Sequence, residues 1–193
     1  MAMNIDEHII ALVRRFGEVL DGDLGRLRCF HVYGVQIEGW LKGELLYFLG
    51  SEKERGTVAD FDREVRIVLG DKRKQVDLQV SLEVQGERKD AWIELKHWAL
   101  EQKGTSYRPQ FYFGDPTSVG IRPDVDALSK IDAGSGYCVI LMTANPGIAD
   151  WEAGIEKFNE KFVPLNISSL TSPTEFPDAY HLGLLKVGSG QEG

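Results

Sequence analysis

Residues 75–98, QVDLQVSLEVQGERKDAWIELKHW, alternate apolar and polar side chains so regularly that they read as a β-hairpin with one apolar face. In the first arm Val76, Leu78, Val80, Leu82 and Val84 alternate with Asp77, Gln79, Ser81 and Glu83. In the second, Ala91, Ile93 and Leu95 form the apolar set, so Trp92, Glu94, Lys96 and Trp98 point the other way. The turn falls near Gln85-Gly86-Glu87. Matching the apolar sets across the hairpin sets the register parity, because a slip of one residue would face apolar side chains with polar ones. Asp77, Glu94 and Lys96 therefore share a face, with Asp77 opposite or one pair away from the other two.

Facing residues on one side of an antiparallel pair have Cβ atoms about 4.5–5.5 Å apart, so two carboxylates placed there repel unless a cation lies between them. A divalent metal resolves the conflict. Mg2+ takes oxygen ligands, keeps several waters and commonly uses one or two protein carboxylates. Lys96, on the same face, adds a cation that can orient or deprotonate a bound water and offset charge developing on a phosphate.

The pattern of Asp77 followed on the next strand by Glu94-Leu95-Lys96 resembles the core motif of the PD-(D/E)XK nuclease superfamily, an acid followed by Glu or Asp, any residue, then Lys. The proline that precedes the first acid in that family is replaced here by Val76. The resemblance extends over about residues 37–162 and rests on four motif positions. It implies a restriction-endonuclease-like α/β fold, a mixed β-sheet core flanked by α-helices. It also implies a catalytic set of Asp77, Glu94, Lys96 and Glu44, with Asp77, Glu94, Glu44 and the Leu95 carbonyl as ligands of Mg2+ or Mn2+.

Composition limits the rest. A chain of 193 residues with 42% hydrophobic content suits one globular domain, expected over residues 1–187, with a flexible tail at 188–193. No apolar run approaches membrane-spanning length and the N-terminus has no signal-peptide pattern, so a cytoplasmic protein with no membrane partner is expected. Cys29 and Cys138 lack metal-binding or C-x-x-C spacing and read as reduced packing residues. A net charge of −8 argues against a protein that coats nucleic acid with its whole surface and leaves room for a local basic groove.

Along the chain, Asn4 caps a first amphipathic helix carrying Ile5, Ile9, Leu12, Val13, Phe16 and Leu20. Residues 27–35 form an apolar stretch that suits a short strand or a packed loop and contains His31. Ile37, Leu41, Leu45 and Phe48 mark a second helix, with Glu44 beside the stripe and Glu38 as the alternative acid nearer its start. After Gly50 the run SEKERG reads as a polar turn. A strand with Val65, Ile67 and Leu69 follows, and Glu64 at its entrance is a further candidate acid. The basic residues Lys72, Arg73 and Lys74 read as a turn into the hairpin.

Beyond the hairpin, Lys103, Tyr107 and Arg108 sit among Phe111, Tyr112 and Phe113, an interleaving of cations and rings that suits a loop touching nucleic acid. Residues 123–131 suggest a helix from which Lys130 could approach the cleft. The run YCVILM at 137–142 reads as a strand buried on both faces, and residues 149–162 as a helix crossing back over the sheet. Residues 181–187 suggest an edge strand.

The expected function is metal-dependent hydrolysis of nucleic-acid phosphodiester bonds, with DNA as the expected substrate and a homodimer compatible with it. The alternative is a catalytically inactive nuclease-fold protein that acts as a binding module.

Overall fold

A computed structural model of the chain describes residues 3–69, 72–100, 108–132 and 134–188. Lys103, Tyr107 and the tail from 189 onward lie outside the described residues.

Helix α1, Ile5–Asp21, begins with a capping box in which the Glu7 amide donates to Asn4 Oδ1 at 3.0 Å and the Asn4 amide donates to Glu7 Oε2 at 2.7 Å. Its buried stripe is Ile9, Leu12, Val13, Phe16 and Leu20, as the spacing requires. Residues 27–35, expected as strand or loop, fall largely in helix α2, Leu24–Tyr33, closed by Gly34 at φ 64°. Helix α3, Glu38–Glu54, runs through the expected polar turn because Glu52 has a buried place to go. Its side chain is 1% exposed and pairs with Arg15 of α1 at 2.6 Å and with Arg55 at 2.9 Å.

The strands β1 (Asp60–Leu69), β2 (Lys72–Val84), β3 (Glu87–Ala99), β4 (Ser135–Thr143), β5 (Ile167–Ser169) and β6 (Tyr180–Val187) form a mixed six-stranded sheet in the order β1-β2-β3-β4-β6-β5. Strand β3 pairs parallel with β4 through a crossover that carries the short helices α4, Pro109–Gly114, and α5, Arg122–Leu128. Helix α6, Ile148–Lys161, follows β4. The expected edge strand at 181–187 is an interior strand, because three-residue β5, too short to show a period, pairs outside it.

Two apolar clusters cover the sheet. Helices α1 to α3 pack on one side against Leu78, Val80, Leu82, Ile93 and Leu95, and α4 to α6 pack on the other against Cys138, Ile140 and Met142. On the second side the β6 glycine Gly183 lies under Trp151, where an added Cβ would come within 2.5 Å of the indole. Gly183→Ala should cost about 1–3 kcal/mol by overpacking, read as a lower melting temperature. An unchanged melting temperature would contradict this contact.

The hairpin departs from strict alternation at one place. Its turn is a tight one with Gln85 at φ 56° and Gly86 at φ 81°, the left-handed pair that matches strand twist. Strand β2 keeps its even-numbered residues on the α1–α3 side from Val84 to Leu78, but Val76 packs in the opposite cluster. The partner strand changes sides at the same level: Phe61 packs on the first side, Ile67 on the second, and Glu64 between them takes φ 55°. The β1–β2 register leaves Glu64 and Asp77 out of its pairing. Asp77 therefore lies at a break in the ladder, one unpaired residue on each strand with no shift of register, at which the outer half of the β1–β2 ribbon rotates.

Candidate active site

The break in the ladder coincides with a fork in the sheet. Pairing of β2 with β3 runs from Val84 opposite Glu87 to Leu78 opposite Ile93. Beyond it, β2 continues against β1 and β3 continues against β4. A fork leaves backbone groups on the inner edges that need other partners. The Leu95 amide finds one in the Asp77 side chain, donating to Oδ2 at 3.0 Å. This bond draws Asp77 toward β3 beside Glu94, with which it shares a side-chain hydrogen bond.

Three lysines surround the pair. Lys42, one turn after Glu38 on α3, approaches Asp77 Oδ1 at 2.7 Å and Glu64 at 3.4 Å. Lys74 on β2 lies 3.4 Å from Glu94 Oε1 and 3.1 Å from Asp124 Oδ1. Lys96 on β3 lies 3.0 Å from Asp124 Oδ2. Asp124, near the start of α5, thus joins two lysines across the mouth of the fork. Glu38 completes the group, close enough to Lys96, Asp77 and Asp124 to feel their charges and hydrogen-bonded to the backbone of His97.

Glu38, Glu64, Asp77, Glu94 and Asp124 face Lys42, Lys74 and Lys96, so the carboxylates outnumber the ammonium groups by two. The excess appears on Glu94. Burial, then Asp124, and also Asp77 push its carboxyl up to about 8 from an ordinary 4.5, against the pull of Lys74. Burial also opposes ionisation of Asp77, but hydrogen bonds involving Lys42, the Leu95 amide and Glu94 outweigh it and hold that carboxyl below the usual range. For Glu38, burial prevails and its carboxyl is raised, with Lys96 opposing and Asp77 assisting. Burial works against the charge on Lys96, yet Asp124, Glu38 and Glu94 together hold its ammonium above the ordinary lysine range. Lys96 is a fixed cation at neutral pH.

A cavity of about 460 Å3 opens beside the cluster between the α2–α3 link, the end of β3 and α4, with Lys96 and Glu38 reaching into it. Its wall is stiffened by Trp98, which stacks on Tyr112 at 4.9 Å between ring centroids and donates from Nε1 to the Val119 carbonyl at 3.2 Å. The volume falls within the range of small-ligand clefts.

The residues singled out in the sequence divide accordingly. Asp77, Glu94 and Lys96 stand at the fork; Leu95 contributes its amide there while its side chain is buried in the core. Glu44 does not join them: it lies on another face of α3, 3.8 Å from Arg26 of α2. Six residues of helix separate Glu38 from Glu44, about 240° of rotation, so only one of them can face the fork. Lys130 is paired with Asp126 at 2.7 Å, and the exposed Arg108 lies 3.7 Å from Asp150 of α6. Asp124, Lys42 and Lys74 carried no motif. Helical spacing from Glu38 could have found Lys42, but Asp124 and Lys74 meet where the outer ribbon has rotated beyond Glu64 and Asp77.

Among the described residues no group of three or more His, Cys, Asp and Glu side chains is arranged to hold a metal ion, and no helix is long and apolar enough to cross a membrane. Comparison with family models, with curated proteins and with solved structures gives no match.

Proposed function

We propose that this chain is a metal-dependent nuclease of the PD-(D/E)XK type, with a restriction-endonuclease-like arrangement of sheet and helices, acting on DNA. The reading is carried by the fork between β2 and β3, which gathers Asp77, Glu94 and Lys96 around one buried point. The donor set suits Mg2+ or Mn2+: Asp77 and Glu94 are hard oxygen donors, and the buried Glu94 Oε1 has no hydrogen-bond partner. These two carboxylates, with the Leu95 carbonyl, would hold the ion, and Glu38 takes the place the resemblance gave to Glu44. When bound, such an ion acidifies a coordinated water and neutralises phosphate charge.

The chain's own groups supply the remainder. Glu94 gives up its proton before it can bind a cation, so its raised carboxyl makes cation binding release a proton. Asp77 stays ionised and is oriented by the Leu95 amide and Lys42. Lys96, held charged by Asp124, is a positioning and electrostatic group and not a base: it stabilises negative charge as the phosphate reacts. The cavity gives substrate access to the Lys96 side.

The test is incubation of the purified protein with labelled DNA and RNA, single and double stranded, with EDTA, Mg2+ or Mn2+. Cleavage that requires the metal and disappears in Asp77→Asn is expected. The same metal should raise the melting temperature of wild type by RT ln(1 + [L]/Kd) and leave Asp77→Asn unmoved. An equal thermal shift in both proteins would place the metal elsewhere.

A second reading, a nuclease-fold binding module without activity, is favoured by Lys42 and Lys74, whose ammonium groups already neutralise Asp77 and Asp124 without a metal. That reading expects nucleic-acid binding with no cleavage in any metal.

A further inference from the structure

The rotation of the β1–β2 ribbon at Glu64 and Asp77 leaves one of its faces uncovered. On the inner face Val65, Ile67, Lys74 and Val76 turn toward α5 and the second core cluster. The opposite face carries Arg66 across from Gln75 and Val68 across from Arg73, all exposed, with Val68 at 71%. Just before the break, Arg63 is exposed on that same side, opposite Leu78. Among the described residues Arg63, Arg66 and Arg73 enter no ion pair, although the chain carries a net charge of −8 and its other cations at the fork are committed to carboxylates. Glu64, next to Arg63 in the chain, pairs with Lys42.

We infer that this arginine-bearing face of the β1–β2 ribbon docks the backbone of B-form duplex DNA beside the fork. The choice of nucleic acid as the polyanion rests on the nuclease reading; the surface rests on its own geometry. Unpaired guanidinium groups on an acidic protein mark a place where a polyanion gains more than solvent does, and arginine matches phosphate in a bidentate fashion. Arg66, Val68, Arg73 and Gln75 offer no ring on which an unstacked base could lie, which disfavours single strands. A two-stranded ribbon fits the major groove of B-form DNA, whereas the deep, narrow major groove of an RNA duplex excludes it.

The spacing also suits the site. At about 3.3 Å per residue, Arg66 lies roughly 7 Å and Arg73 roughly 13 Å along the ribbon from the level of Asp77. Strand phosphates recur about every 3.4 Å of duplex axis, so a bound duplex would span the arginines and the fork together.

The experiment measures anisotropy of a short fluorescent duplex in EDTA over a series of salt concentrations, so that binding is read without cleavage. Wild type should bind duplex DNA more tightly than single-stranded DNA or duplex RNA. Arg66→Ala/Arg73→Ala should weaken binding more than about tenfold and flatten the slope of log K against log salt by about two units. Arg66→Lys/Arg73→Lys should retain the slope, and Val68→Lys should steepen it by about one unit, a gain that misfolding cannot imitate. The inference is overturned if wild type does not bind the duplex, if it prefers single strands or RNA, or if the slope is unchanged in both the alanine and the Val68→Lys proteins. Metal-dependent cleavage by a wild type whose alanine variant keeps its slope would remove the docking surface and leave the nuclease reading standing. Slope changes as expected, without cleavage in any metal, would do the reverse.

Discussion

Glu94→Gln is expected to abolish cleavage while making the metal-free protein more stable at pH 8. The Glu94 carboxyl ionises near 4.5 in the unfolded chain and is pushed up to about 8 in the folded one by burial, by Asp124 and by Asp77. A raised acid favours the folded state fully below its unfolded value, and that contribution is lost as the pH rises toward and through the folded value. Between pH 4.5 and 8 the loss is on the order of 4 kcal/mol, at about 1.4 kcal/mol for each pH unit crossed. Glutamine cannot ionise and keeps an N–H to donate to Asp77. Variant and wild type should therefore melt alike near pH 4.5, and the variant should melt about 10 °C higher near pH 8, given roughly 2–4 °C per kcal/mol for a chain of this size.

Comparing the two proteins isolates Glu94 from other titrations. His97 and His181 are held down to about 4 by burial, so both proteins should lose stability together as the pH falls from about 6.5 toward 4. With Mg2+ present, wild type should recover stability increasingly as the pH rises, because cation and proton compete for Glu94, and the variant should not. Parallel pH profiles for wild type and variant would mean that Glu94 is not the group holding the excess proton.

Lys96→Ala should lower turnover by about a hundredfold to a thousandfold or more with little change in affinity for substrate, the pattern of an interaction made mainly in the transition state. Cation binding should survive, since Asp77 and Glu94 remain. The pH profile gives a further readout. Lys96 is held charged by Asp124, Glu38 and Glu94, so its loss should depress the rate and also move the acidic limb of the profile, which belongs to Glu94, to higher pH. If Lys96 only anchored a phosphate, affinity would fall, the salt slope would flatten by about one unit and turnover at saturation would persist. Cleavage at the wild-type rate by the alanine protein would remove Lys96 from the catalytic set.

Strict alternation in residues 75–98 was enough to define the hairpin, its turn and the shared face of Asp77, Glu94 and Lys96, because a period of two leaves only one parity with a buried side. The stripe of α1 and the doubly buried β4 were legible for the same reason: each is a local periodic pattern whose burial is uniform along its length. The elements that escaped were short or irregular. Helix α2 buries Leu27 as its one fully covered residue, and β5 is three residues long, so neither has a period to read.

The rest of the site depends on where the sheet divides. Alternation predicted Val76 beside Leu78, but the ribbon rotates at Glu64 and Asp77, and no pattern in either strand marks that rotation, beyond which Val76 packs in the cluster that holds Val125 and Leu128 of α5. That rotation brings Lys74 to Asp124, fifty residues away in the chain, and leaves Arg66 and Arg73 facing outward. The choice of Glu38 over Glu44 was settled by how α3 rolls against the sheet, where Leu41 and Leu45 are buried and only one of the two acids can reach the fork. Local periodicity thus determined which side chains share a strand face. Tertiary packing decided which distant charges meet there, because burial of an unpaired charge is costly and the fold converges on an arrangement that supplies each one with a partner or a proton.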